Sequence, residues 1–133
     1  MHFLGKIMDA SLLAGVYSAC DLFFFPSVYD NAPIVVREAS VMQLPSLVAV
    51  NSPTAEPFVD GVNGFLAEES VIAMQEKIMQ IFAQPLKMKA VGKRASQQIP
   101  VSFDKTVDKA LQRYQYIIDQ YRRRKNEYAR QIK

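Results

Sequence analysis

The amino-acid sequence predicts an α/β fold: a small parallel sheet with helices on both faces and a long helix at the C-terminal end. Three observations predict it. Short apolar runs alternate with stretches whose apolar residues recur every three or four positions. The runs Asp21-Leu22-Phe23-Phe24-Phe25 and Ser46-Leu47-Val48-Ala49-Val50 are continuous rather than alternating, the pattern of strands covered on both sides. From residue 102 onward only the helical period remains. Alternating strands and helices imply right-handed crossovers and a parallel sheet.

Taken in order, His2-Phe3-Leu4-Gly5 reads as the end of a short strand followed by a turn. Met8, Leu12, Leu13, Val16 and Tyr17 then mark a helix that stops near Cys20, and the strand of residues 21–25 is closed by Pro26. Pro33 suits the first turn of a second helix running to about Gln43, and residues 46–50 form the next strand. Loop chemistry dominates from Asn51 to Pro57, and Asp60-Gly61-Val62-Asn63-Gly64 is a strong turn signal before a short strand, Phe65-Leu66-Ala67. Val71, Met74, Ile78, Ile81 and Phe82 mark a helix stopped by Pro85, and another helix reaches about Gln98. Phe103, Val107, Ala110, Leu111, Tyr114, Ile117, Ile118 and Tyr121 form the cleanest stripe in the chain. The arrangement predicts one partial domain over residues 1–133: an α/β unit over 1–101 and a basic helix over 102–133.

Composition narrows the function classes. At 133 residues, half of them hydrophobic, the chain has the material of one ordinary domain and is not a disordered or low-complexity segment. A single cysteine excludes a disulfide framework and, with a single histidine, a Cys/His zinc cluster. No apolar run approaches the roughly 20 residues that span a bilayer, and no signal-peptide pattern opens the chain, so a cytoplasmic location is expected. The net charge of +3 does not imply nucleic acid, because residues 1–101 carry seven Lys/Arg against nine Asp/Glu, and residues 102–133 carry nine against four. The basicity belongs to the tail. No glycine-rich phosphate loop is present, and no base accompanies Ser27 or Ser40, which argues against kinase, dinucleotide and Ser/His chemistry. Cys20 and the six methionines read as core filling.

In a parallel sheet, ligands bind beyond the carboxyl ends of the strands. The loops 5–9, 26–33 and 51–57 qualify, and the second is the richest, holding Ser27, Tyr29, Asp30 and Asn31 just before a helix N-terminus that favours anions. Glu38 follows inside that helix among apolar neighbours. A carboxylate there must reach solvent, pair with Arg37 or another cation, or accept hydrogen bonds from a ligand. Asp30 alone reads by default as a turn or capping residue.

These residues carry a resemblance. Asp21-Leu-Phe-Phe-Phe-Pro-Ser27, then Asp30 and seven residues to Glu38-Ala39, then Leu44-Pro45-Ser46-Leu47-Val48-Ala49, Glu56 and Asp60-Gly61-Val62-Asn63-Gly64-Phe65-Leu66 resemble the donor-binding C-terminal part of retaining GT-B glycosyltransferases of glycosyltransferase family 4, the group 1 glycosyl transferases. The pair Asp30 and Glu38 matches the family's two-acid motif with aspartate in the first place, and Ser102-Phe103 before a long helix is similar to its closing segment.

The resemblance implies a Rossmann-like fold and a nucleoside-diphosphate sugar as donor, with a hexose passed to a glycan or lipid acceptor. It implies that Glu38 accepts from the ribose hydroxyls and that Asp30 faces the hexose near the reacting carbon. Backbone at Asn31, Ala32, Pro33 and Ile34 would lie by the sugar and diphosphate, and Gly5, Lys6 and Ile7 near the base. No metal or other cofactor is expected. Three residues depart from the pattern: aspartate at 30 is shorter than glutamate, Pro33 stands where glycine is usual and lacks an N–H, and Ser52-Pro53 replaces a glycine pair. The segment Tyr29-Asp30-Asn31-Ala32-Pro33 with Val36-Arg37-Glu38-Ala39 is similar to Gram-positive bacterial enzymes of the cell envelope, some of which glycosylate membrane lipids.

The same resemblance implies a partner. An N-terminal Rossmann-like domain would bear the acceptor site and a basic pair that neutralises the diphosphate, so the chain is expected not to turn over alone. Tyr128 and Ile132 read as apolar residues awaiting that domain. The basic segment reads by default as a solvated helix face, with peripheral contact of Arg122, Arg123, Arg124 and Lys125 with an anionic membrane at its inner face as the alternative. The alternative is a non-enzymatic flavodoxin-like interaction or regulatory module in which Asp30 and Glu38 are a cap and a surface charge.

Overall fold

Regular structure begins at Asp9, whose carboxylate accepts from the Leu12 N–H at 2.8 Å and caps helix α1 (Ala10–Ala19). The computed structural model describes residues 2–100 and 102–131, with Phe103 and residues 126–131 given by backbone alone. Met8 therefore precedes the helix it was expected to open. Strand β1 (Phe23–Phe25) follows, then α2 (Ile34–Val41), β2 (Ser46–Ala49), a short 3-10 turn (Pro53–Ala55), β3 (Phe65–Ala67), α3 (Val71–Phe82), α4 (Pro85–Gln98) and α5 (Phe103–Gln131). All three strands are parallel in the order β1, β2, β3, with Phe24 beside Leu47 and Leu47 beside Phe65.

The sheet's two faces separate the core into two clusters. Leu47, Ala49, Phe65 and Ala67 face Met74 and Ile81 of α3 and Met88 and Val91 of α4. Val48, between them in sequence, points the other way onto Val36 of α2 and Ala95 of α4, with Phe58 and Ile99. Helix α4 serves both clusters because it passes close to the turn that ends α2. That turn has the backbone of a Schellman cap: Leu44 N–H donates to the Ala39 carbonyl at 3.1 Å and Gln43 N–H to the Ser40 carbonyl at 3.0 Å. Gln43 takes φ +58° there, a left-handed conformation that glycine adopts more easily.

The turn at 60–64 is held from three sides. Asn63 is buried, accepts from the Val59 N–H at 2.7 Å, and donates to the Pro57 carbonyl and to Gln98. Asp60 accepts from the Leu66 N–H and pairs with Lys77 at 2.7 Å. Partial burial opposes ionisation of Asp60, and the Lys77 ammonium together with the Leu66 N–H outweighs it, holding the carboxyl below the usual range. A depressed folded-state pKa stabilises above the unfolded value and loses that contribution as pH falls. Asp60→Asn is therefore expected to destabilise the chain at neutral pH, with the gap from the unsubstituted protein closing between about pH 5 and pH 2. Urea titrations across that range check it, and a gap independent of pH would contradict it.

Four expectations are corrected. Residues 2–4 form no strand: Phe3 and Leu4 are exposed and pair with no described strand, and a strand exists only through its partner. Strand β1 is not buried on both faces, since Phe24 is 45% exposed. It is an edge strand, and α3 covers the Leu47 side of the sheet without reaching fully over it. Cys20 is exposed, because it caps the open end of α1 with its N–H on the Tyr17 carbonyl. Of the methionines, Met74 and Met88 fill the core, whereas Met8 and Met79 are exposed.

The chain divides into two compact units, Met1–Pro100 and Val101–Lys133. The second holds α5, before which Ser102 Oγ accepts from the Lys105 N–H, and along which Arg113 lies 5.8 Å from the Tyr116 ring centroid. Being a single helix, it offers its own stripe, Val107 to Tyr121, nothing to pack against within the unit. Ile132 and the side chain of Tyr128 lie outside the described residues. No helix among those described is long and apolar enough to cross a membrane.

Candidate functional site

The loop after β1 and the helix after that loop hold both carboxylates singled out by spacing. Ser27 Oγ donates to Asp30 Oδ2, and the Tyr29 N–H reaches Ser27 Oγ at 3.4 Å, so the loop folds on its own side chains. A second tie comes from the loop after β2: Thr54, 2% exposed, donates its hydroxyl to the backbone carbonyl of Asp30 at 2.9 Å. Ala32 then turns the chain at φ +48°, and Pro33 precedes the first residue of α2 as its cap position, with no side-chain capping bond. A non-glycine residue held in that conformation is strained by about 1–2 kcal/mol, which the ties at Asp30 offset.

This loop is exposed at Tyr29, Asp30, Asn31 and Ala32, as is Ile34, and half-buried at Pro33. Ile34, the first residue of α2, is exposed, and a helix N-terminus favours anions. Pro33 has no N–H to offer a ligand.

Glu38 sits one turn further along α2, half-buried between buried neighbours Val36, Ala39 and Ser40. Among the described residues the sole ion pair is Lys77 with Asp60, so Arg37 does not hold it. Its partner is Tyr17 on α1, whose hydroxyl donates to Glu38 Oε2 at 3.3 Å. A groove of about 220 Å³ runs between the two helices, walled by Leu13, Val41 and Met42, with Tyr17 and Glu38 as its polar groups. Burial, reinforced by the charge and hydrogen bond of Glu38, pushes the Tyr17 phenol above its ordinary value of 10.0 and keeps it a donor at neutral pH.

Gly5, Lys6 and Ile7 lie in the irregular segment before α1, with Gly5 at φ +68°, and no described hydrogen bond ties them to the loop at 26–33. Sequence reasoning missed Tyr17 and Thr54. Tyr17 was visible only as one apolar position of a helical stripe, and Thr54 only as loop.

A larger apolar hollow, about 600 Å³, lies at the uncovered side of Phe24 against Pro26, Val71, Met74, Ile78 and Met79. It is apart from both carboxylates.

Comparison with known proteins assigns the chain. Residues 1–98 match the family model described as glycosyl transferases group 1. The chain belongs to the group 1 glycosyl transferases. Among solved structures, this group 1 glycosyl transferase chain is similar to sucrose-phosphate synthase of Thermosynechococcus elongatus, at TM-score 0.76 and 22% identity over 89% of its length. It is also similar to HepE of Anabaena, solved in complex with UDP-glucose, at TM-score 0.52 and 25% identity over 73% of its length. The chain spans 30% and 29% of those two chains. Among curated proteins no relative matches. The parallel sheet and its helices are accordingly the Rossmann-like fold of the GT-B glycosyltransferases.

Proposed function

We propose that the chain is the donor-binding part of a retaining glycosyltransferase that moves a hexose from a nucleoside diphosphate to a glycan or lipid acceptor. The observation that carries this is Glu38: a half-buried carboxylate on a family-matched helix, bonded to a neutral phenol and to no described cation, at the rim of a groove. Such a group is costly unless it serves as a hydrogen-bond acceptor, and vicinal ribose hydroxyls are donors of the right geometry. The complex of HepE with UDP-glucose supports a nucleotide-sugar donor.

In this reading Asp30 faces the hexose, backbone at Asn31, Ala32 and Ile34 lies along the sugar and diphosphate, and Gly5, Lys6 and Ile7 border the base. Departure of the diphosphate needs positive charge near its β-phosphate. That charge comes from a second Rossmann-like domain, so the 133-residue chain binds donor without transferring sugar. The reading requires no metal. Arg122 to Lys125 add peripheral attachment to the inner face of an anionic membrane, which co-sedimentation with vesicles of mixed phosphatidylserine and phosphatidylcholine tests: equal recovery with pure phosphatidylcholine would remove it.

The primary test is thermal unfolding with UDP and GDP. A ligand at a hundred times its Kd adds about 2.7 kcal/mol to the folded state. One of the two nucleotides is expected to raise the midpoint in a saturable way while inorganic phosphate does not. Identical midpoints with and without millimolar nucleotide would defeat the reading.

A further inference from the structure

Three side chains separated in sequence meet at one end of α1. The Tyr17 ring stands edge-on to Phe23 with centroids 5.8 Å apart and planes at 85°. Phe23 in turn stacks on Phe25 at 6.0 Å. The ring is therefore pinned to β1, and its hydroxyl is delivered to Glu38 Oε2 from a fixed direction. A glutamate on a helix has three rotatable bonds, and in free form its carboxylate samples several rotamers at an entropic cost when one is selected.

We propose that Tyr17 is the positioning residue for Glu38, holding the carboxylate in a single orientation so that its remaining lone pairs face a nucleoside ribose. The inference rests on the reading of Glu38 as ribose acceptor. The bond engages one lone pair of Oε2, and among the described residues Oε1 makes no hydrogen bond, which leaves acceptor capacity for both hydroxyls of a vicinal diol. The phenol oxygen, while its O–H donates to Glu38, can also accept a hydrogen bond. Partial burial of the pair between α1 and α2 strengthens the bond relative to water. The phenol stays protonated through the neutral range, so the arrangement holds wherever a cytosolic enzyme works.

The test uses the full 133-residue chain and its Tyr17→Phe and Glu38→Gln variants, with Kd values for UDP and 2′-deoxy-UDP from ligand-observed NMR. Phenylalanine keeps the ring contact with Phe23, so the variant should unfold at nearly the parent temperature. The parent chain is expected to prefer UDP over its deoxy analogue by about tenfold, as one well-placed hydrogen bond to a charged acceptor provides. Tyr17→Phe should reduce that preference to about threefold or less, and Glu38→Gln should abolish it. A merely structural tyrosine would weaken both ligands equally and leave the ratio intact. Should Tyr17→Phe keep the full preference while Glu38→Gln loses it, the positioning role is overturned and the ribose role stands. Should the parent chain show no preference, or no binding, both readings fall. A separate readout needs no ligand: in carbon-13 tyrosine spectra, the Tyr17 ring should titrate above pH 10 and move back toward it in Glu38→Gln. An unmoved titration would mean that the contact is absent, and would overturn the proposal on its own.

Discussion

Gly92→Ala is expected to destabilise the α/β unit by about 3 kcal/mol or more. A Cβ at Gly92 would lie 2.0 Å from the Gln43 carbonyl oxygen and 3.0 Å from Pro45 Cδ. The obstacle is backbone, so no side chain can rotate away. The turn cannot yield either, because Leu44 is bonded back to Ala39 and the Pro45 carbonyl accepts from the Phe23 N–H at 2.9 Å, which ties it to the sheet. Helix α4 must therefore retreat, opening the contacts of Val91 and Ala95, which are 1% and 0% exposed. For a unit of about a hundred residues the melting midpoint should fall on the order of 15 °C. Gly15→Ala on α1 is the control: its Cβ meets nothing within 4 Å, and alanine is the better helix former by about 1 kcal/mol. Equal midpoints for Gly92→Ala and the unsubstituted chain would show that α4 does not approach the turn as described.

Glu38→Ala is expected to weaken UDP binding by tenfold or more, because hydrogen bonds to a charged group contribute about 1.5–3 kcal/mol. The fold should tolerate the change, since Glu38 is only half-buried and the Tyr17 hydroxyl it releases borders an open groove where water can reach it. Calorimetric titration measures the loss directly. Asp30→Ala sharpens the assignment: with a hexose role, it should leave UDP affinity unchanged and reduce the advantage of a UDP-hexose over UDP. An unchanged UDP dissociation constant in Glu38→Ala would remove the ribose role altogether.

The two acids of the candidate site were legible because their signals are local. Asp30 and Glu38 are separated by a fixed stretch of loop and helix, and Pro33 marks the boundary between the two. The partners of these carboxylates were not legible. Tyr17 lies 21 residues from Glu38 and Thr54 lies 24 residues from the carbonyl it binds. A tyrosine in an apolar stripe and a threonine in a loop have many possible roles, and only the chain's path selects among them. Thr54 shows this well: the loop once notable for lacking a glycine pair instead supplies a buried hydroxyl that holds the Asp30 segment.

By itself, the sequence determined the alternation of strands and helices from residue 10 onward, the stops at Pro26 and Pro85, the turn at 60–64, and the placing of Asp30 and Glu38 on one loop and the helix that follows it. Periodicity, proline and turn glycines act over a few residues, so their consequences are written locally. Tertiary structure alone decided that residues 2–4 form no strand, that Phe24 is half open at a sheet edge, that α4 needs a glycine against the Gln43 carbonyl, and that the Tyr17 hydroxyl donates to Glu38. Each of these depends on which distant segment arrives alongside, and strand pairing, burial and side-chain partners exist only once the chain has brought those segments together.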